Sequence, residues 1–82
     1  MTAALIVEVA RIVSTVLREP VAADPALLAA DFARWDSHAT VEIIFAIEDR
    51  FGFEMSPEQM ERVAGLASLI DIVGATIGEI VP

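Results

Sequence analysis

Asp36, Ser37 and His38 stand side by side, and they hold most of the chemistry this chain could offer. A serine hydroxyl becomes a nucleophile when a base takes its proton. His38 has the right chemistry for that base. Consecutive residues on a helix, however, diverge by about 100°, so a Ser37–His38 dyad is not expected. His38 is the single histidine, and there is no cysteine or lysine. Disulfides and cysteine-based zinc sites are therefore excluded, and with one histidine a structural zinc site is not expected. No glycine-rich loop or metal-ligating cluster stands elsewhere in the sequence, so we expect no catalytic residue and no metal site. Ser37 at a helix start would be exposed to a partner's chemistry. The plainest use of a serine there is as a helix N-cap, and Asp36 is an equally good cap type.

Positioning Ser37 requires a helix that begins with it. The sequence predicts four helices and no strand. The first runs roughly from Ala3 to Leu17, with Ile6, Val9, Val13, Val16 and Leu17 at helical spacing. Pro20 cannot continue it. Residues 18–36 form a long connection that needs anchors, and Leu27, Leu28, Phe32 and Trp35 can supply them. A helical turn is expected within Pro25–Ala30. The second helix starts at Asp36 or Ser37 and stops at Gly52. Ser56-Pro57-Glu58-Gln59 reads as a capping box with proline at the first helical position, so a short third helix should end near Val63. The fourth runs from Leu66 to about Ile77, after a break at Gly65. Met55 and Met60 are expected to fill gaps in the core.

The second helix has more apolar residues than one buried stripe needs. Ile43, Ala46, Ile47 and Phe51 should face the core. Ser37, Val41, Phe45 and Glu48 follow a different line down the helix, so Val41 and Phe45 are expected to be exposed. Between Asp36 and Glu61 stand seven acids and one base, which account for six of the eight net negative charges. Such a surface repels phosphate backbones and suits a basic protein partner. We expect no nucleic-acid binding and no membrane association. The apolar tracts at residues 3–10 and 64–82 are interrupted by charge and fall short of a membrane span. Together with the absence of a signal-like start, this gives the expectation of a single domain over residues 1–82 that works in the cytoplasm as a monomer.

The helix reading Asp-Ser-His-Ala-Thr-Val-Glu-Ile-Ile-Phe-Ala-Ile-Glu-Asp-Arg-Phe-Gly resembles the Asp-Ser-Leu site and second helix of acyl carrier proteins. The resemblance extends over nearly the whole chain. Val9, Ile12, Val13 and Leu17 look like core positions of the family's first helix, and the loop up to Ser37 has about the family's length. Val63, Leu66, Ile70, Asp71 and Val73 look like the end of its third helix and its fourth. The implied fold is an all-α four-helix bundle with a long first loop and a short third helix. The implied function is a carrier that is not itself an enzyme. A phosphopantetheinyl transferase would attach the 4′-phosphopantetheine arm of coenzyme A to Ser37, within the Asp36-Ser37-His38 motif. The arm would then hold cargo as a thioester, its sulfur imported because the chain has no thiol. Val41, Glu42, Phe45, Glu48 and Asp49 would be the partner-binding positions, met by basic docking surfaces on loading ligases and downstream enzymes.

Three positions depart from the family's fatty-acid carriers. His38 replaces a leucine, Ala39 replaces a common acid, and Arg50 stands where an acid is frequent. The approach Arg34-Trp35-Asp36-Ser37 also lacks the paired glycines usual in peptide-synthetase carriers. The resemblance is closer to discrete carriers of polyketide, secondary-metabolite or surface-polysaccharide pathways. Ala39-Thr40-Val41-Glu42-Ile43 is also similar to D-alanyl carriers, which keeps an aminoacyl cargo open. An unmodified, carrier-like interaction module is a further alternative. His38 is expected to face solvent beside the arm. Ile44, Ile47 and Ile70 either line a cleft for an acyl chain or pack as ordinary core.

Overall fold

A computed structural model describes residues 3–77. Among these residues the order is α1 (Ala3–Leu17), a 3₁₀ turn (Ala29–Asp31), α2 (Ser37–Phe51), α3 (Pro57–Glu61) and α4 (Leu66–Ile77). The chain is all-helical, as the periodicity predicts. The last residues of the C-terminal apolar tract, 78–82, lie outside the described part.

Each long helix buries one stripe in a shared core. Leu5, Val9, Val13 and Leu17 of α1 recur every four residues and are buried. Ile43 and Ile47 of α2 meet them, as do Leu66, Leu69, Ile70 and Val73 of α4. This burial is the main term that holds so small a chain together. Ala46 and Phe51, expected in the α2 stripe, are half-buried at its border. Ile44, Ile47 and Ile70 are all buried within this same core cluster.

Helices α1 and α2 end in the same way. Gly52 sits at φ 72° and its N–H donates to the Glu48 carbonyl, which also accepts from Phe53. Arg18 sits at φ 59°, and both its N–H and that of Glu19 donate to the Ser14 carbonyl. The bonds from Phe53 and Glu19 are the 6→1 bonds of a Schellman closure. The left-handed residue is the expected glycine after α2 and an arginine after α1. For a residue with a Cβ that conformation costs roughly 1–2 kcal/mol. Part of the cost is offset by the Ser14 hydroxyl, which donates to the Glu19 carbonyl at 2.7 Å.

The long first loop is held by backbone as well as side chains. Ala29 N–H donates to the Ala64 carbonyl at 2.8 Å, and Leu66 N–H to the Leu27 carbonyl at 3.0 Å. The two segments form an isolated antiparallel bridge between Leu28 and Gly65. Leu27 and Phe32 pack against the core, and Trp35 is buried, as expected of anchors. Leu28 corrects the expectation. Its backbone is fixed by the bridge, which leaves its side chain half exposed. The turn expected within Pro25–Ala30 forms later, at Ala29–Asp31, where the Asp31 carboxylate accepts from Leu28 N–H. At α3, Ser56 and Gln59 bond reciprocally, as the capping box predicts. The helix ends two residues earlier than expected, at Glu61. No helix among the described residues is long and apolar enough to cross a membrane.

Candidate functional site

The start of α2 resolves which residue caps it. Asp36 is the N-cap, and its Oδ1 accepts from Ala39 N–H at 2.8 Å. Ser37 is the first helical residue and is exposed. Its hydroxyl makes no hydrogen bond within the described residues. Capping was the bland use for a serine here, and Asp36 performs it instead. The Ser37 oxygen is left presented to solvent at the positive end of a helix 15 residues long.

Three side chains hold the approach to Ser37 in place. The Trp35 indole, 6% exposed, donates to Thr40 Oγ1 at 3.0 Å. That hydroxyl donates in turn to the Asp36 carbonyl at 3.0 Å. The Trp35 ring also lies 6.3 Å from that of Phe32, tilted against it. One residue earlier, Arg34 Nη1 donates to the carbonyls of Leu17 and Arg18, at 3.2 and 3.0 Å. A cation therefore closes the negative end of α1, and the last residues of the loop are tied to both helices.

His38 projects into solvent, as expected. Its Nε2 lies 3.4 Å from Glu42 Oε1, one turn along, with the two side chains 84% and 55% exposed. It makes no contact with Ser37 that would amount to a dyad. Ala39, in contrast, is buried.

Further down α2, Val41 and Phe45 are 47% and 61% exposed. They continue the line from Ser37, and Phe45 is the most exposed of the large apolar residues described. Glu42 and Asp49 are exposed beside them. Glu48 differs. It is half-buried, and its Oε2 accepts from Met55 N–H at 2.7 Å. This carboxylate holds the chain where it returns after Gly52, so its first role is structural. We expect Glu48→Gln to lower stability by about 1–2 kcal/mol in urea unfolding, since it weakens a bond to a charged acceptor. Asp49→Gln, on an open surface, should stay within about 0.5 kcal/mol of wild type.

A cleft of about 390 Å³ opens beside the site, between the end of α1 and the start of α2. Val16, Leu17 and Ala39 give it an apolar floor. Arg18, Arg34, Asp36, His38 and Glu42 supply the polar wall. The sequence reading missed Arg18 and Arg34. The arginines were in view, but nothing local marks them as neighbours of Ser37. Among the described residues no cluster of histidine, cysteine or carboxylate side chains could hold a metal ion. No family model matches the chain.

Proposed function

We propose that this protein is a carrier, modified at Ser37 by the phosphopantetheine arm of coenzyme A. The observation that carries the reading is an exposed serine at the start of α2, its hydroxyl unengaged because Asp36 does the capping. In the modification, the Ser37 oxygen forms a bond to the phosphorus next to the pantetheine. The pyrophosphate bond of coenzyme A breaks, and the adenosine bisphosphate half leaves. The hydroxyl proton passes to a base on the transferase, since no base among the described residues contacts Ser37. The arm's thiol supplies the group that can hold cargo as a thioester.

Docking follows from the same helix. Val41 and Phe45 offer apolar contact one and two turns from Ser37, and Glu42 and Asp49 flank them with negative charge. A basic, partly apolar enzyme surface would match this face. Acyl cargo of a polyketide, secondary-metabolite or polysaccharide type is the reading we favour, with work in the cytoplasm.

Intact mass tests the modification. After incubation with coenzyme A and a broad-specificity transferase, wild type should gain the mass of one phosphopantetheine. Ser37→Ala should gain none. An unchanged wild-type mass with several transferases would overturn the proposal. Docking is tested on loading rate. Asp49→Lys and Phe45→Ala should each slow transfer several-fold, as rim charges and central aromatics do at interfaces. Equal rates would make the face merely solvating.

A further inference from the structure

We propose that the cleft between the end of α1 and the start of α2 holds a phosphate ester, namely the phosphodiester of the arm on Ser37, between Arg18 and Arg34. The inference rests on Ser37 being the attachment site. It goes further in assigning to this chain's own cations a role that the exposed serine alone does not imply.

Position is the first argument. The cleft is walled by Asp36, His38 and Ala39, which bracket Ser37 in the chain. Ser37 itself does not line the cleft, and the part of an arm that its neighbours would meet first is the phosphodiester with its branched apolar neighbour. The floor of Val16, Leu17 and Ala39 suits the apolar neighbour, and the guanidinium groups suit the phosphate. A volume of about 390 Å³ lies within the range of small-molecule clefts.

Charge is the second argument. The two acids of the lining, Asp36 and Glu42, match its two arginines in number, so the free donors of the arginines are what a phosphate would meet. Asp36 accepts from Ala39 N–H, and Glu42 lies beside His38. Arg34 spends one nitrogen, Nη1, on the carbonyls that end α1, leaving its other donors unused within the described residues. Arg18 has no ion pair or side-chain hydrogen bond among them. It is also the residue held at φ 59°, at the position where α2 uses Gly52. Its side chain lines the cleft.

The test compares apo and holo protein by NMR of the arginine Nε–Hε groups and of phosphorus, with arm attachment verified by mass. On attachment, the Arg18 and Arg34 signals should shift, while that of Arg62, which caps the end of α3 and does not line the cleft, should not. Arg18→Gln should reduce the Arg34 shift by about threefold, the scale of an exposed charge pair, and Arg18→Lys should restore most of it. Arg18 makes no structural bond with its side chain, so neither variant should unfold the protein. Free phosphopantetheine added to apo protein should move the same arginines only at millimolar concentration, because the tether supplies the effective concentration. An attached arm with unmoved arginines overturns the cleft assignment alone. So does a shift seen with free phosphopantetheine but not in the holo protein. An unchanged mass overturns the carrier reading, and the cleft assignment with it.

Discussion

Trp35→Ala is expected to cost about 3–5 kcal/mol of stability, the range for removing a large buried aromatic. A domain of 82 residues has roughly 4–12 kcal/mol in total at ordinary stability per residue. The variant should therefore lose a quarter or more of the total, and at the low end of that range it is partly unfolded at room temperature. The reason lies in what the indole does. It is buried under the loop, contacts Phe32, and reaches the Asp36 backbone through Thr40. Trp35→Phe is the informative partner. It keeps a ring in the core and loses one hydrogen bond, a cost of about 1 kcal/mol plus imperfect filling. Thr40 still bonds the Asp36 carbonyl in that variant, so arm attachment should survive. Circular dichroism during urea unfolding measures both, since the variants lack the only tryptophan. A Trp35→Ala protein with wild-type stability would show that the loop is not anchored by this ring.

Gly65→Ala is expected to be nearly as damaging, by about 2–3 kcal/mol or more. A Cβ at Gly65 would stand 2.5 Å from the Leu27 carbonyl oxygen and 2.8 Å from the Leu28 Cα. Both are backbone atoms, so no side-chain rotation relieves the overlap. The loop would have to lift, breaking the bonds from Ala29 N–H to Ala64 and from Leu66 N–H to Leu27. Gly52→Ala is the control. A Cβ there meets nothing within 4 Å, and only its φ of 72° is unfavourable. That cost should be about 1 kcal/mol. The mechanism can be read directly from amide exchange. In Gly65→Ala, the protection of Ala29 and Leu66 should fall more than that of Val13 or Ile47. Uniform loss across the core would instead point to global destabilisation without loop release.

The helices were legible because helix formation is local. Apolar spacing of three and four marks α1, α2 and α4, and the Ser56–Gln59 capping box marks α3 within five residues of chain. Gly52 announced its own left-handed turn. The matching turn at Arg18 carries no such signal, because an arginine there is a departure from what the backbone favours. Asp36 and Ser37 could not be separated as caps from sequence, since both side chains cap well. Which one does depends on a single step of backbone phase. Leu28 misled because an apolar side chain suggests burial, whereas its position was decided by the backbone bridge to Gly65, 37 residues away. Gly65 read as a helix breaker, and its closest neighbours turned out to belong to the first loop.

The exposed pair Val41 and Phe45 was visible as a surplus over one buried stripe. Glu48 shared their line by periodicity, yet the chain reverses after Gly52 and brings Met55 N–H onto its carboxylate. By itself, then, the sequence determined the four helices, a second helix that opens at Asp36 or Ser37, and the acidic, partly apolar face that runs down from it. These follow from residue spacing and local capping. The tertiary structure decided that the first loop is bridged to Gly65, that Arg34 reaches the carbonyls that end α1, and that Arg18 and Arg34 line one cleft with Asp36, His38 and Ala39. Those outcomes depend on groups distant in sequence being brought together by burial of a common core, and spacing along a chain holds no record of such meetings.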